Sequence, residues 1–210
     1  MRRGLFITLE GGEGAGKSTL QKRLVERLSS NNRKVVSTRE PGGTPYAEAI
    51  RECVLHPPGE APWTPMAEAL LMNAARSEHI SSLIEPALIR GEIVLCDRFI
   101  DSTRVYQAVQ SGVTPSDLLA LEALVVGETR PDVTLILDAD PAALVGRRRR
   151  RGESADTFER RDASFHEAVR RGFREIAEAE PDRCVIIDAS QSEDAVLAQA
   201  LDAIKLRLGR

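Results

Sequence analysis

Two hydrophobic periods alternate along this chain. Leu5-Phe6-Ile7-Thr8-Leu9 is an apolar, β-prone run, and from Leu20 to Leu28 apolar residues return at helical spacing. The same switch recurs downstream. Residues 34–38, 92–96, 133–137 and 184–187 are short, nearly continuous apolar runs. Such runs suit strands buried on both faces, as in a parallel sheet. The intervening spacing predicts helices over 17–29, 44–54, 65–90, 115–127, 141–150, 162–178 and 192–208. Thr64-Pro65, Thr114-Pro115 and Asp140-Pro141 are the clearest helix starts, because proline costs nothing in a first turn whose N–H groups are unpaired anyway.

Repeated βα alternation with right-handed crossovers predicts an α/β fold, a three-layer α/β/α sandwich around a five-stranded parallel sheet. No internal repeat or long linker interrupts it. Residues 1–210 read as one domain, and His56-Pro57-Pro58-Gly59-Glu60-Ala61-Pro62 as a loop within it. Ligands of such sheets gather at the carboxyl ends of the strands. Three strand ends deliver polar residues there: Glu10 to Ser18, Arg39-Glu40-Pro41-Gly42-Gly43-Thr44, and Asp97-Arg98.

Composition narrows the class. The 210 residues are enough for a real core, and 42% hydrophobic with 29% charged residues suits a globular protein rather than a disordered one. A net charge of −3, from 29 basic and 32 acidic residues, does not favour a bulk nucleic-acid binder. Cys53, Cys96 and Cys184 are scattered without CxxC or Cys/His spacing, and read as reduced, buried thiols of a cytosolic protein. The first strand starts almost at the N-terminus, so no signal peptide is expected. No apolar run approaches the ~20 residues of a membrane helix. His56, His79 and His166 have no metal-ligand spacing and are given no catalytic role.

The densest chemistry is Gly11-Gly12-Glu13-Gly14-Ala15-Gly16-Lys17-Ser18, which fits GxxxxGK[ST], with a second hydroxyl at Thr19. A strand precedes it and a helix follows, as a phosphate-binding P-loop requires. Glycines let successive backbone N–H groups turn toward phosphate oxygens, and the helix adds the positive end of its dipole. Lys17 can reach the β- and γ-phosphates of a nucleotide, and Ser18 can ligate Mg²⁺. Asp97, at a neighbouring strand end, can act on Mg²⁺ or its waters, and Arg98 offers a planar fork for a second phosphate. Read alone, Asp97-Arg98 is equally a surface ion pair.

Other signals are less specific. Asp101-Ser102-Thr103-Arg104-Val105-Tyr106-Gln107 is rich in hydrogen-bonding groups, but Ser and Asp also favour helix caps. Met72 and Arg76 share a helix face at i and i+4: Arg76 can meet a planar polar edge, while Met72 is either soft apolar cover or core. Arg51 is either a site residue or a solvated charge. From 147 to 161 there are seven arginines and three acids. Such a run is a solvated face, a nucleic-acid patch or a cationic lid closing over transferring phosphate. The P-loop favours the lid.

Taken together, Glu10 to Ser18, Thr38-Arg39-Glu40-Pro41-Gly42-Gly43-Thr44, Asp97 to Gln107 and the arginine-rich segment resemble bacterial thymidylate kinase, a P-loop nucleoside monophosphate kinase family, in order over nearly the whole chain. The resemblance implies transfer from ATP to dTMP, giving ADP and dTDP for dTTP biosynthesis, with Mg²⁺, in a cytoplasmic homodimer without nucleic-acid or membrane partners. It implies that Glu13 lies near the acceptor's sugar hydroxyl and that Glu40 and Arg51 shape the acceptor pocket. Arg98 then holds the dTMP phosphate, Arg76 bonds the thymine edge, Thr103 and Gln107 face the base, and Tyr106 crowds the 2′ position. Lid arginines, Arg149 and Arg151 among them, meet ATP beside the catalytic Lys17.

Two residues depart from that pattern. Met72 stands where the family usually has a Phe that stacks on thymine, a loss of about 0.5–1.5 kcal/mol by analogy with aromatic pairs. The lid reads Asp156-Thr157-Phe158-Glu159, and Thr157 replaces a cation that Arg149, Arg151 or Arg160 would have to supply. Two other readings stay open: a kinase for another small nucleoside monophosphate, and a nucleotide-binding regulator without catalysis.

Overall fold

Strand β1 (Leu5–Gly11) runs up the middle of a five-stranded sheet with β2 (Val35–Arg39), β3 (Ile93–Asp97), β4 (Val133–Asp138) and β5 (Cys184–Asp188), in the order β2-β3-β1-β4-β5. The computed structural model describes residues 3–29, 34–59, 61–109, 112–140 and 162–208. All neighbouring strands pair in parallel. The expected helix at 141–150, from Pro141 onward, and the lid at 147–161 lie outside the described residues.

The helices are α1 (Lys17–Leu28), α2 (Pro45–Leu55), α3 (Pro65–His79), α4 (Glu85–Ile89), α5 (Ile100–Tyr106), α6 (Pro115–Val126), α7 (Ala163–Ala179) and α8 (Glu193–Leu208). The spacing predicts one helix over 65–90. The chain is helical from Pro65 to Ile89 but widens into a π turn at Ile80–Ile84. Pro86 brings no N–H to the carbonyl of Ser82 and its ring crowds that carbonyl, so the helix opens just ahead of it. The helical spacing does not mark α5, although the Asp101 to Gln107 cluster also reads as a capped helix start. Five of its residues, Ile100, Asp101, Thr103, Val105 and Tyr106, are buried, so it carries no amphipathic stripe. Of the expected starts, Thr114 forms a full capping box with Asp117, whereas Thr64 makes no side-chain cap.

Alternation along β1 splits the core. Ile7 and Leu9 pack with Leu20 and Leu24 of α1 and Ala200 and Ile204 of α8. Phe6 faces the other way, against Ile84, Leu88, Phe99 and Ile100. Side chains two apart share a face, so Glu10 points to the side of Phe6 and Thr8, toward α5. Cys96 and Cys184 are buried and free, but Cys53 is half-exposed, which corrects the expectation of three buried thiols. Among the described residues no helix is long and apolar enough to cross a membrane.

Candidate active site

The register brings the functional strand ends level. Leu9 pairs with Asp97, and Asp97 in turn with Arg39, so the residues after β1, β2 and β3 emerge side by side. Between β1 and α1 the chain turns through Gly16, whose φ of 94° is left-handed and suits glycine. No side chain caps α1, which leaves its first-turn N–H groups directed at the cleft, where an anion is favoured. Lys17 folds back over the loop, and its Nζ donates to Gly11 O and Gly12 O, each at 3.0 Å. Burial lowers the Lys17 pKa, Arg98 adds to this, and Asp97, Glu13 and Glu10 act against it.

Arg98 meets the P-loop from β3. Its Nη2 donates to Glu13 Oε1 at 2.6 Å, its Nη1 to Ser102 Oγ at 3.0 Å, and its Cζ stands 4.9 Å from the centroid of the Tyr106 ring. Tyr106 OH donates to the same Glu13 oxygen at 3.3 Å. Burial raises the Glu13 pKa, but Arg98 and Lys17 overcome this and hold it at about 2. The Arg98 backbone is itself unusual, with φ 67°, the only non-glycine left-handed φ among the described residues. That conformation costs on the order of 1–3 kcal/mol and persists only where neighbours impose it.

A second buried cluster lies deeper. Arg76 Nε donates to Glu40 Oε2 at 2.8 Å, and Nη2 to Thr103 Oγ1 at 2.9 Å and Phe99 O at 3.0 Å. His79 extends it, with Nδ1 at 3.0 Å from Glu40 Oε1 and Nε2 at 2.7 Å from Thr38 Oγ1. Arg76 and Glu40 are 3% and 4% exposed, so each charge depends on the other. Gly43 makes room here: a side chain on it would strike Thr38 Oγ1 and the His79 ring. Gln107 donates to Glu68 Oε1 at 2.7 Å, and Arg51 to Pro41 O at 2.9 Å, so Arg51 is tied to the loop after β2 rather than free in solvent. Met72 is half-buried against the cluster that holds Tyr106 and Phe165.

These groups line one continuous cleft of about 790 Å³, in the upper range of small-molecule sites. It runs from Gln191 and Ser192 past Lys17, Ser18 and Thr19 to Arg98, Met72 and Arg76. Asp97 Oδ1 is buried there without a hydrogen-bond partner. Among the described residues no group of three or more His, Cys, Asp or Glu could hold a metal by itself. A single carboxylate and a hydroxyl that leave most positions to water and phosphate suit Mg²⁺, so Asp97 and Ser18 fit that ion. The structure thus brings together Glu13, Lys17, Asp97, Arg98 and Tyr106 at the loop, and Glu40, Arg76 and Thr103 behind it. Arg149 and Arg151 lie outside the described residues.

The family model for thymidylate kinase matches residues 9–200. This chain belongs to the thymidylate kinase family. A thymidylate kinase of Caulobacter vibrioides is 50% identical over 209 residues, covering 100% of both chains. One from Rhodopseudomonas palustris is 48% identical over 208 residues, covering 98% of this chain and 90% of its own. The crystal structure of thymidylate kinase from Ehrlichia chaffeensis matches with a TM-score of 0.76 at 34% identity, over 96% of this chain and 99% of that one.

For a thymidylate kinase site, the sequence places Glu10 and Ser102 in its motifs without a role of their own, and it does not point to His79 or Glu68. Two signals were available. Glu10 closes an apolar strand on its buried face, and His79 follows Arg76 by three residues on the same helix face. His79 was assigned no catalytic role, and the structure gives it a structural one beside the site.

Proposed function

We propose that this chain transfers the γ-phosphoryl group of ATP to dTMP, giving ADP and dTDP for dTTP synthesis. The observation that carries the reading is the Glu13–Arg98 pair, which joins the donor's phosphate loop to a second cation within one cleft. In the proposed mechanism an oxygen of the dTMP phosphate forms a bond to the γ-phosphorus in line with the breaking bond to the β–γ bridging oxygen, and ADP leaves. The nucleophile is already an anion, so no strong general base is needed, and catalysis rests on orientation and charge neutralisation. Lys17 and the loop N–H groups stabilise the donor phosphates, while Arg98 reduces repulsion between the two anions. Ser18 and Asp97 would hold Mg²⁺, which when bound neutralises donor phosphate oxygens. The chain works as one domain, with 147–161 as lid and Arg149 and Arg151 as its cations.

Arg76, Thr103 and Gln107 would face the base and Tyr106 the 2′ position, with Glu40 and Arg51 shaping the pocket. The same reading carries a cytosolic homodimer. Leu70 on α3 and Leu119 and Leu124 on α6 are exposed and supply apolar surface for it. Light scattering in solution checks the mass.

ADP release coupled to a colour change, measured with dTMP, dUMP, dCMP and UMP, tests the substrate. Preference for dTMP is expected. Preference for dCMP or UMP overturns the acceptor assignment, and tight ATP binding without turnover on any acceptor would mark a regulator instead.

A further inference from the structure

Glu10 is fully buried near the end of β1, one residue before the P-loop motif. Its carboxylate crosses to the segment after β3. Oε1 accepts from Phe99 N at 2.8 Å and from Ser102 N at 3.2 Å, and Oε2 accepts from Ser102 Oγ at 2.6 Å. Ser102 Oγ in turn accepts from Arg98 Nη1 at 3.0 Å. The residues so held directly follow the left-handed backbone of Arg98, which is also tied by its N–H to Leu9 O at 2.9 Å. One carboxylate therefore anchors both the strained main chain that presents Arg98 and the hydroxyl that steers its guanidinium.

We propose that Glu10 is the positioning residue for Arg98: its ionised carboxylate holds the turn after β3 so that the guanidinium faces the acceptor phosphate. The inference rests on the assignment of Arg98 to that phosphate. Ionisation matters because only an anion accepts three strong hydrogen bonds while leaving the Ser102 oxygen to receive Arg98. A protonated Glu10 would instead donate to Ser102 Oγ and compete with Arg98 for it.

The surroundings place this change in the working range. Burial, then the charge of Asp101, push the Glu10 pKa up from 4.5 to about 7, against Ser102, Arg98 and the Phe99 N–H, which pull it down. Asp101 is itself clamped by Arg183, at 2.7 and 2.8 Å. The other groups that feel the charge of Glu10 are Lys17, Cys96, Tyr106 and Cys184, and burial keeps both thiols and the phenol neutral through this range. A raised carboxyl pKa favours the fold at low pH, and its contribution is lost as pH rises through about 7. Acceptor binding runs the opposite way, weakening as pH falls through the same point. Stability is thus given up where the turn is best ordered, as is common at functional sites.

The test is steady-state kinetics of the full chain between about pH 5.5 and 8.5 for the parent, Glu10→Gln, Ser102→Ala and Arg98→Ala. The titration of the dTMP phosphate is common to all and cancels in ratios. At pH 8.5 Glu10→Gln is expected to raise the dTMP KM about tenfold or more, the scale of a lost charge-assisted hydrogen bond, with the ATP KM within about twofold. That ratio should shrink toward one at pH 5.5. An unchanged dTMP KM, or a ratio flat across the range, overturns the positioning role. Where Glu10→Gln does not fold, Ser102→Ala breaks the same link, and an unchanged dTMP KM in it is equally fatal. Arg98→Ala separates the two readings: a normal dTMP KM there means the phosphate assignment itself has failed.

Discussion

Arg98 and Glu13 form an ion pair of 2.6 Å across the gap between β3 and the P-loop. An acceptor phosphate placed on Arg98 shares that guanidinium with Glu13, so the two residues set acceptor affinity together. Arg98→Ala is expected to raise the dTMP KM by about tenfold to a hundredfold, with a smaller change for ATP, as loss of a charged hydrogen bond dictates. An acceptor KM equal to the parent's would contradict this.

The same pair makes stability depend on pH. Glu13 has a pKa of about 2, below its ordinary 4.5, because Arg98 and Lys17 outweigh its burial. A depressed carboxyl pKa stabilises the fold above pH 4.5, and that contribution is lost as pH falls from 4.5 toward 2. Glu13→Gln should therefore be less stable than the parent at pH 7, by at most about 3 kcal/mol, and the gap should close on acidification. Urea midpoints of both proteins across that window check it; a gap independent of pH would exclude Glu13 as the source.

Lys17 Nζ sits between two loop carbonyls, poised at the mouth of the phosphate cradle. Lys17→Ala should lower kcat by about a hundredfold or more, the scale of losing one preorganised donor, with an unchanged circular dichroism spectrum. Near-normal turnover removes Lys17 from the mechanism.

Glu40 is the carboxylate for both Arg76 and His79. Glu40→Ala leaves a buried guanidinium unpaired and is expected to cost about 3–5 kcal/mol, seen as a lower melting temperature together with weaker dTMP binding. A loss below about 1 kcal/mol, the scale of a surface pair, would show that Arg76 is not held by this bond.

The local parts of this architecture were legible in the chain. Each β-strand lies within two residues of its apolar run, because burial on both faces needs an unbroken apolar segment. The P-loop was legible because its glycines, Lys17 and Ser18 are contiguous and act through backbone that the same residues shape. Short α5 escaped because it is buried nearly all round and has no polar face to mark its period. The π turn before Pro86 escaped because widening a helix by one residue leaves its apolar pattern almost intact.

The wiring behind the motifs came from the tertiary structure. The partners of Glu10 lie 89 and 92 residues away, that of Glu40 in α3 36 away, and that of Gln107 39 away. The sequence alone determined which groups can bind phosphate, because residue type and local turn settle that. It did not determine which carboxylate holds which cation. That choice belongs to the β2-β3-β1 order and its register, which bring distant strand ends level and bury their charges where each must find a partner.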